Sequence, residues 1–300
     1  MAAPSAPANP ARATEPGLQR LIDGLGAPLR LDTPLDETTA GDIGSRAGHL
    51  APEAICPGQA RMREVVNFTL YPWSALIYVR CTFRRFGAPP MTISGSGWLA
   101  APGLVVTAAH NVYKHDLAEG LRRAVAVEVI AGHSGPGGQV AARARIAPED
   151  ILYSPQFTLG PALNRRQDFC FLRLRDPAFS AAVGRPLPLG VVEEACRDSV
   201  LVSGYPVPVG GQIRVRSGRL HTGEGRMAPG GGTITHRYAI ETLGGQSGGP
   251  VIWVNPEDHD DIAAVGIHVH GECPFNMARR IDTELLGLAE RLVGEAGAAA

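Results

Sequence analysis

The chain has 300 residues, 19% of them charged and 44% hydrophobic, with a formal net charge of −1. This balance, without a basic cluster interleaved with aromatic residues, gives no indication of nucleic acid or an anionic membrane as a partner. The 37 glycines and 25 prolines favour a β-rich fold with many turns.

The N-terminal part differs in composition from the rest. Residues 1–64 are rich in Ala, Pro, Gly and charge, which predicts a flexible extension; a pro-segment is the alternative. The first twenty residues lack the continuous apolar stretch of a secretory signal. No stretch of 18 apolar residues is present, so no transmembrane helix is expected. We expect one domain over residues 65–293 and a flexible tail over 294–300.

Short apolar runs separated by turn residues follow within that domain. Many short strands at such spacing predict a β-sandwich or a pair of barrels. The acidic segment Asn255–Asp261 is predicted to be a solvated hairpin loop, and the apolar spacing of Thr283–Val293 predicts a C-terminal helix. The predicted strands are Ser74–Phe83, Thr92–Ala100, Leu104–Thr107, Ala124–Ala131, Phe169–Leu174, Ser199–Gly204, Gln212–Leu220, Thr233–Glu241, Pro250–Val254 and Ile262–Val269.

The five cysteines match no zinc-binding spacing. An odd number leaves at least one free thiol unless it pairs between chains, and the presence of disulfides stays open. Two of them lie inside apolar runs, where cysteine behaves as a small hydrophobic residue. The cysteines are Cys56, Cys81, Cys170, Cys196 and Cys273, and the two in apolar runs are Cys81 and Cys170.

The glycine-rich segment Gly244–Pro250 has the composition of a nucleophile turn. Glycines on both sides of Ser247 permit positive φ and a close approach of substrate. The backbone N–H groups of Gly245 and Ser247 are the candidates for an oxyanion hole. A glycine-rich hairpin loop is the alternative interpretation of this segment alone.

Two further residues complete a catalytic constellation. His110 follows an apolar strand and two alanines, and Asp168 opens another apolar strand. A buried carboxylate needs a partner, and the Nδ1–H of a histidine would provide one. Alone, His110 is better explained as an exposed strand end, and the alternative for Asp168 is a strand cap or a turn residue. Together with Ser247, they occur in the chain order used by the chymotrypsin fold.

These blocks resemble the trypsin-like serine proteases, and most closely the bacterial glutamyl endopeptidase branch. The resemblance implies an all-β fold of two six-stranded antiparallel β-barrels with a C-terminal α-helix. It also implies a monomeric serine endopeptidase that acts on a protein or peptide substrate through an acyl-enzyme, without a metal or organic cofactor. It rests on Tyr71–Val79, Ser94–Leu99, Thr107–His110, Asp168–Leu174, Gly204–Pro206, Gly245–Pro250, Gly266–His268 and Asn276–Ile281.

In that branch, a threonine five residues before the serine and a histidine after a Gly-Ile step recognise a substrate glutamate. The matching positions here hold Thr242 and His268. A hydroxyl and an imidazole supply hydrogen-bond donors without a permanent charge, so the resemblance implies a preference for Glu, or Asp, before the scissile bond. The alternative is an ordinary strand threonine and a core histidine. His270 would add a donor, and Glu272 would repel an acidic substrate.

The resemblance leaves compartment and role partly open. Members of the branch are usually exported, which implies a secreted or periplasmic location, whereas the missing signal leaves the cytoplasm open. Substrate backbone is expected to add as a strand beside Gly266–His268. A catalytically silent binding module and a chaperone or regulatory domain are the competing functions.

Overall fold

The computed structural model describes residues 25–28, 61–115, 123–159, 165–192, 199–207, 218–229, 232–271 and 274–298. The strands in these ranges are β1 (Leu25–Pro28), β2 (Met62–Val65), β3 (Leu76–Arg85), β4 (Ala88–Ala101), β5 (Leu104–Thr107), β6 (Ala126–Ala131), β7 (Ala142–Ile146), β8 (Ile151–Tyr153), β9 (Cys170–Arg173), β10 (Ser199–Gly204), β11 (His221–Ala228), β12 (Thr235–Tyr238), β13 (Pro250–Val254), β14 (Ile262–His270) and β15 (Asn276–Arg280). The α-helices are α1 (Ala109–Val112), α2 (Pro177–Val183) and α3 (Thr283–Ala298).

The first half of the domain is one antiparallel sheet of seven strands in the order β7-β6-β3-β4-β5-β9-β8. We call it the first sheet. Its longest pair is the β3–β4 hairpin, which turns at Gly87 with φ +62°. Strand β3 shows the alternation of its two faces, with Val79, Cys81 and Phe83 buried and Arg80 and Arg84 exposed, because successive side chains of a strand point to opposite faces.

The second half closes into a ring. Strands β11, β10, β13, β14, β15 and β12 pair in that order, and β12 pairs back to β11, which makes a closed six-stranded antiparallel barrel. We call it the second barrel. Together with the first sheet and the C-terminal helix, it confirms the predicted all-β class.

Two strands from the N-terminal side extend the second barrel. Strand β2 pairs with β11, with Glu64 opposite His221, and β1 pairs with β2. Met62 is fully buried and Val65 is 2% exposed. The buried strand β2 therefore crosses the predicted boundary between residues 64 and 65. The other predicted features of the extension lie outside the described residues.

Helix α3 confirms the predicted C-terminal helix. The Asp282 carboxylate accepts a hydrogen bond from the Leu285 N–H (2.9 Å), which stabilises the first turn. Leu285 and Ala289 are buried in the core. The helix continues beyond the predicted end at Val293 to Ala298, and Glu295 in this extra stretch pairs with Arg173 of β9 (3.6 Å).

The remaining sequence predictions are placed as follows. Residues 255–261 join β13 to β14 as the predicted hairpin loop. Most of the predicted strand Gln212–Leu220 lies outside the described residues. Cys81 and Cys170 are free and buried, and burial raises the pKa of the Cys81 thiol to about 12; the other cysteines are not among the described residues. None of the helices in the described ranges is long and apolar enough to cross a membrane.

Candidate active site

His110 and Asp168 are brought together by the pairing of β5 with β9. Helix α1 carries His110 immediately after β5, and Asp168 lies just before β9. The antiparallel register places Thr107 opposite Cys170, so the residues after β5 meet the residues before β9. This part of the site follows from local sheet geometry.

The carboxylate of Asp168 holds His110 at two points. One oxygen accepts a hydrogen bond from the His110 backbone N–H (3.0 Å), and the other contacts Nδ1 (2.7 Å). Because a carboxylate only accepts, the ring proton lies on Nδ1 and Nε2 is left as the basic nitrogen. The side chains are 22% and 11% exposed. The imidazole is therefore oriented with its acceptor nitrogen pointing away from Asp168.

Ser247 lies in a tight turn that is held by its own residues. The side-chain oxygen of Gln246 accepts a hydrogen bond from the Leu243 N–H (2.9 Å). The Gln246 N–H donates to the Leu243 carbonyl (3.1 Å), and the Gly249 N–H donates to the Gln246 carbonyl (2.9 Å). The turn is thus closed on both sides of Ser247.

The serine turn is fastened to the first sheet. The Ser247 carbonyl accepts hydrogen bonds from the Ser96 N–H (2.9 Å) and from the Asn111 amide (2.8 Å). The Ser96 hydroxyl donates to the Gly245 carbonyl (2.7 Å). Because Asn111 directly follows His110, these bonds place the serine turn beside the helix that carries the histidine.

Two glycines make this close approach possible. Gly245 has φ +93° and Gly248 has φ +86°, both in the left-handed region that favours glycine. A Cβ atom on Gly248 would lie 2.3 Å from the Ser96 carbonyl oxygen and 2.7 Å from the Ala108 nitrogen. The two backbone N–H groups predicted for the oxyanion hole, those of Gly245 and Ser247, belong to this turn.

The two residues predicted to read the substrate side chain flank the same turn, and both are fully buried. Thr242 lies immediately before Leu243, and its Oγ has no hydrogen-bond partner among the described residues. His268 exchanges backbone hydrogen bonds with Gly248 (2.7 Å) and Gly249 (2.8 Å). Thr242 therefore lies in the chain just before the serine turn, and His268 is bonded to the two residues that follow Ser247.

Two ionisable groups next to the site have shifted pKa values. Burial lowers the pKa of the Lys114 ammonium, and the nearby Asp168 carboxylate opposes that change. Burial raises the pKa of Glu241, although its carboxylate accepts a hydrogen bond from the Met62 N–H (3.3 Å). Because Glu241 precedes Thr242, this bond links strand β2 to the wall of the candidate pocket.

Residues 95–258, more than half of the chain, match the family model of the trypsin-like peptidase domain. The chain belongs to the trypsin-like peptidase family. A search of curated proteins finds no match.

Solved structures show the same fold as this trypsin-like peptidase. A structure of Glu endopeptidase in complex with MPD matches with a TM-score of 0.60 at 17% identity, covering 80% of this chain and 99% of that chain. Protease Anisep from Arthrobacter nicotinovorans matches with a TM-score of 0.52 at 16% identity, covering 69% of this chain and 90% of that chain. The predicted chymotrypsin-like double-barrel fold is thereby confirmed.

One expectation about the peptidase is wrong. Segment Gly266–His268 was expected to pair with substrate backbone, but it is an interior part of β14. Gly266 pairs with Val251 on one side and Arg280 on the other, and His268 is bonded to the serine turn. Both edges of this segment are therefore already paired within the protein.

The sequence analysis missed several residues that build the site. The Tyr238 hydroxyl and His268 Nδ1 are hydrogen-bonded at 2.5 Å, and both side chains are fully buried. Asn111 and Ser96 fasten the serine turn. Neither a motif nor periodicity distinguishes these residues, since their partners are distant in the chain. Of the other predicted residues, His270 ends β14 and Glu272 lies outside the described residues.

Proposed function

We propose that this peptidase is a serine endopeptidase with Ser247 as nucleophile, His110 as general base and Asp168 as the residue that orients the base. One observation carries the proposal. Asp168 fixes the His110 ring through two hydrogen bonds, while the Ser247 turn is bonded to the very next residue, Asn111. An oriented imidazole beside a serine on a glycine turn is the arrangement that activates a hydroxyl.

The reaction proceeds through an acyl-enzyme. His110 Nε2 takes the proton of the Ser247 hydroxyl as its oxygen attacks the scissile carbonyl carbon. The oxyanion accepts hydrogen bonds from the N–H groups of Gly245 and Ser247. The C–N bond then breaks, and the leaving amine takes the proton from His110. A water molecule, deprotonated by His110, then attacks the ester of the acyl-enzyme. The ester bond breaks, which releases the carboxyl product and restores the Ser247 hydroxyl.

The rigidity of the serine turn supports this mechanism. Its glycines allow backbone N–H groups to point into one concavity, and the Gln246 side chain holds the turn from within. Donors that are already in place need no reorganisation when negative charge develops, which is the main source of their catalytic effect. Removing one such donor typically costs about 10²–10³ in kcat.

Substrate backbone is proposed to pair with Val269–Gly271. Strand β13 begins opposite Ile267 and does not run along these residues. Strand β15 stays paired on the other side of this segment, with His270 opposite Met277 after a register shift. The end of β14 beyond the serine turn therefore provides the edge that Gly266–His268 lacks.

The substrate residue before the scissile bond is proposed to be Glu, with Asp as a poorer alternative. A buried hydroxyl without a partner costs about 1–3 kcal/mol, and among the described residues the Thr242 Oγ has no partner. When the Tyr238 hydroxyl donates to His268 Nδ1, the ring proton is placed on Nε2. Thr242 and His268 then both donate to a carboxylate.

The catalytic assignment is tested with Ser247→Ala and His110→Ala. Both variants are expected to fold, to lose peptide hydrolysis and to lose labelling by a fluorophosphonate probe. Ser154→Ala is the matched control, since its hydroxyl accepts a local bond from the Gln156 N–H (3.3 Å). Hydrolysis retained in either active-site variant, with contamination excluded, would overturn the assignment. Absence of labelling in the wild-type protein would favour the silent binding module.

The specificity is tested with peptides that differ only in the residue before the scissile bond: Glu, Asp, Gln, Leu or Arg. Glu is expected to give the highest kcat/KM. His268→Ala and Thr242→Val should lower the ratio of Glu to Gln cleavage about ten- to a hundredfold, because a hydrogen-bonding site discriminates strongly. Tyr238→Phe should lower the same ratio less. Best cleavage after Arg or Leu would refute the proposal.

A further inference from the structure

The segment that carries Asp168 is anchored to the second barrel. Residues Arg165–Gln167 form a short 3-10 turn immediately before Asp168, and the Phe169 N–H donates to the Gln167 carbonyl (2.9 Å). Among the described residues, both hydrogen bonds that the Asp168 carboxylate accepts come from His110. Its position relative to the ring is therefore set by the backbone on either side of it.

Arg279 contacts that backbone from strand β15. Its side chain is 2% exposed, and its Nε donates to the Arg166 carbonyl (2.6 Å). Its guanidinium also lies 5.8 Å from the centre of the Phe169 ring. One side chain thus contacts residues on both sides of Asp168.

The anchor is held in turn by the start of helix α3. One carboxylate oxygen of Asp282 pairs with the Arg279 guanidinium (2.9 Å), and the other accepts the Leu285 N–H (2.9 Å). Burial lowers the pKa of Arg279, and Asp282 opposes this shift. A buried guanidinium cannot discharge, so it needs a fixed partner. The chain of contacts runs from helix α3 through Arg279 to the Asp168 turn.

We propose that Arg279 is a positioning residue that holds Asp168 against His110, by bonding the Arg166 carbonyl and packing on Phe169. The inference depends on the proposed serine endopeptidase function. Arg279 adds a contact between the second barrel and the segment that carries Asp168. The first sheet and the second barrel are then held together near Asp168 as well as at the Ser247 turn.

The test uses Arg279→Gln and Arg279→Lys. Gln removes the charge and one donor direction, whereas Lys keeps the charge and reaches either the Arg166 carbonyl or Asp282. Because a 1 Å displacement of a catalytic group costs about 10² in rate, Arg279→Gln should lower kcat about ten- to a hundredfold. KM should stay within about twofold, since Arg279 does not contact the substrate site, and Arg279→Lys should fall between.

The matched control is Arg166→Ala. The Arg166 side chain is 51% exposed and pairs with the exposed Glu284, so its removal leaves the carbonyl that Arg279 binds. The kcat of this variant should be unchanged. Each value is divided by the concentration of sites titrated with a fluorophosphonate probe, so that partial unfolding does not count as lost catalysis. The proton resonance of the His110–Asp168 hydrogen bond should move in the Arg279 variants and stay in place in Arg166→Ala.

The outcomes separate the two proposals. If wild-type protein neither labels nor hydrolyses peptides, the endopeptidase assignment fails. If the wild-type protein is active and Arg279→Gln keeps its kcat per titrated site and its proton resonance, the positioning role is wrong. Should Arg279→Gln not fold, Arg279→Lys decides by the same criteria: unchanged kcat overturns the inference, and reduced kcat with unchanged KM supports it.

Discussion

Asp168→Asn tests the orienting role most directly. The native carboxylate accepts at both oxygens, from the His110 N–H at 3.0 Å and from Nδ1 at 2.7 Å. Asn has one acceptor and one donor. If its oxygen stays opposite the backbone N–H, its NH₂ group faces Nδ1 and the ring proton moves to Nε2, the nitrogen that must accept the Ser247 proton. If the amide flips, two donors face each other.

The first arrangement removes the working base, and the second replaces the bond from the His110 N–H by a donor–donor contact that displaces the ring, so we expect kcat to fall about 10⁴-fold. At 1.36 kcal/mol for each tenfold change, this is about 5 kcal/mol of transition-state stabilisation. KM should change little. The assay is hydrolysis of the best peptide substrate, with Ser247→Ala as the background rate.

Asp150→Asn is the matched control for Asp168→Asn. Asp150 is also a buried carboxylate, 2% exposed, and pairs with Arg175 at 2.6 Å, but it does not contact His110. This substitution should lower the thermal unfolding temperature and leave kcat per titrated site unchanged. A kcat for Asp168→Asn within tenfold of the wild-type value would refute the orienting role.

Two further predictions concern stability. Gly248→Ala should destabilise the protein by more than about 4 kcal/mol and abolish probe labelling, because its Cβ would meet the Ser96 carbonyl at 2.3 Å. Gly184→Ala, with φ +82° but open space around the added Cβ, should cost about 1–3 kcal/mol. Burial raises the pKa of Glu241 in the folded protein, so the stability of the wild-type protein falls as the pH rises above 4.5, the ordinary pKa of a glutamate. Glu241→Gln should therefore raise the unfolding temperature at pH 7 and give no such increase at acidic pH. Chemical unfolding monitored by circular dichroism measures the free energy of unfolding of the two glycine variants. If the unfolding temperatures of Glu241→Gln and the wild-type protein differ by the same amount at pH 4 and at pH 7, the prediction for Glu241 is contradicted.

The local parts of the candidate site were predictable from sequence because they depend on neighbours in the chain. A glycine on each side of a serine predicts a tight turn, and an apolar run that ends in His110 or begins after Asp168 predicts a strand with a polar end. Strands Leu104–Thr107, Ser199–Gly204 and Pro250–Val254 have the predicted bounds, since turn residues flank each of them and their apolar residues are continuous.

Strand β11 was missed because its composition is unfavourable for a strand. It contains Gly223 and Gly225, which weaken strand propensity. A Cβ atom at either position would lie 2.4–2.6 Å from the side chain of Ile240. The glycines are therefore explained by the close approach of another segment inside the barrel, a contact that local pattern does not reveal.

The partners that position the reacting groups are the least predictable part of the site. Tyr238 and His268 are 30 residues apart, and Arg279 and Arg166 are 113 residues apart. The pairing of β12 and β14 with the two sides of β15 sets the first contact, and the docking of the second barrel on the Asp168 turn sets the second. Neither depends on local sequence. Arg279 illustrates the difficulty, because from sequence alone an arginine in a strand is expected to be exposed. Its burial, with Asp282 as counter-charge, is the observation on which the proposed positioning role depends.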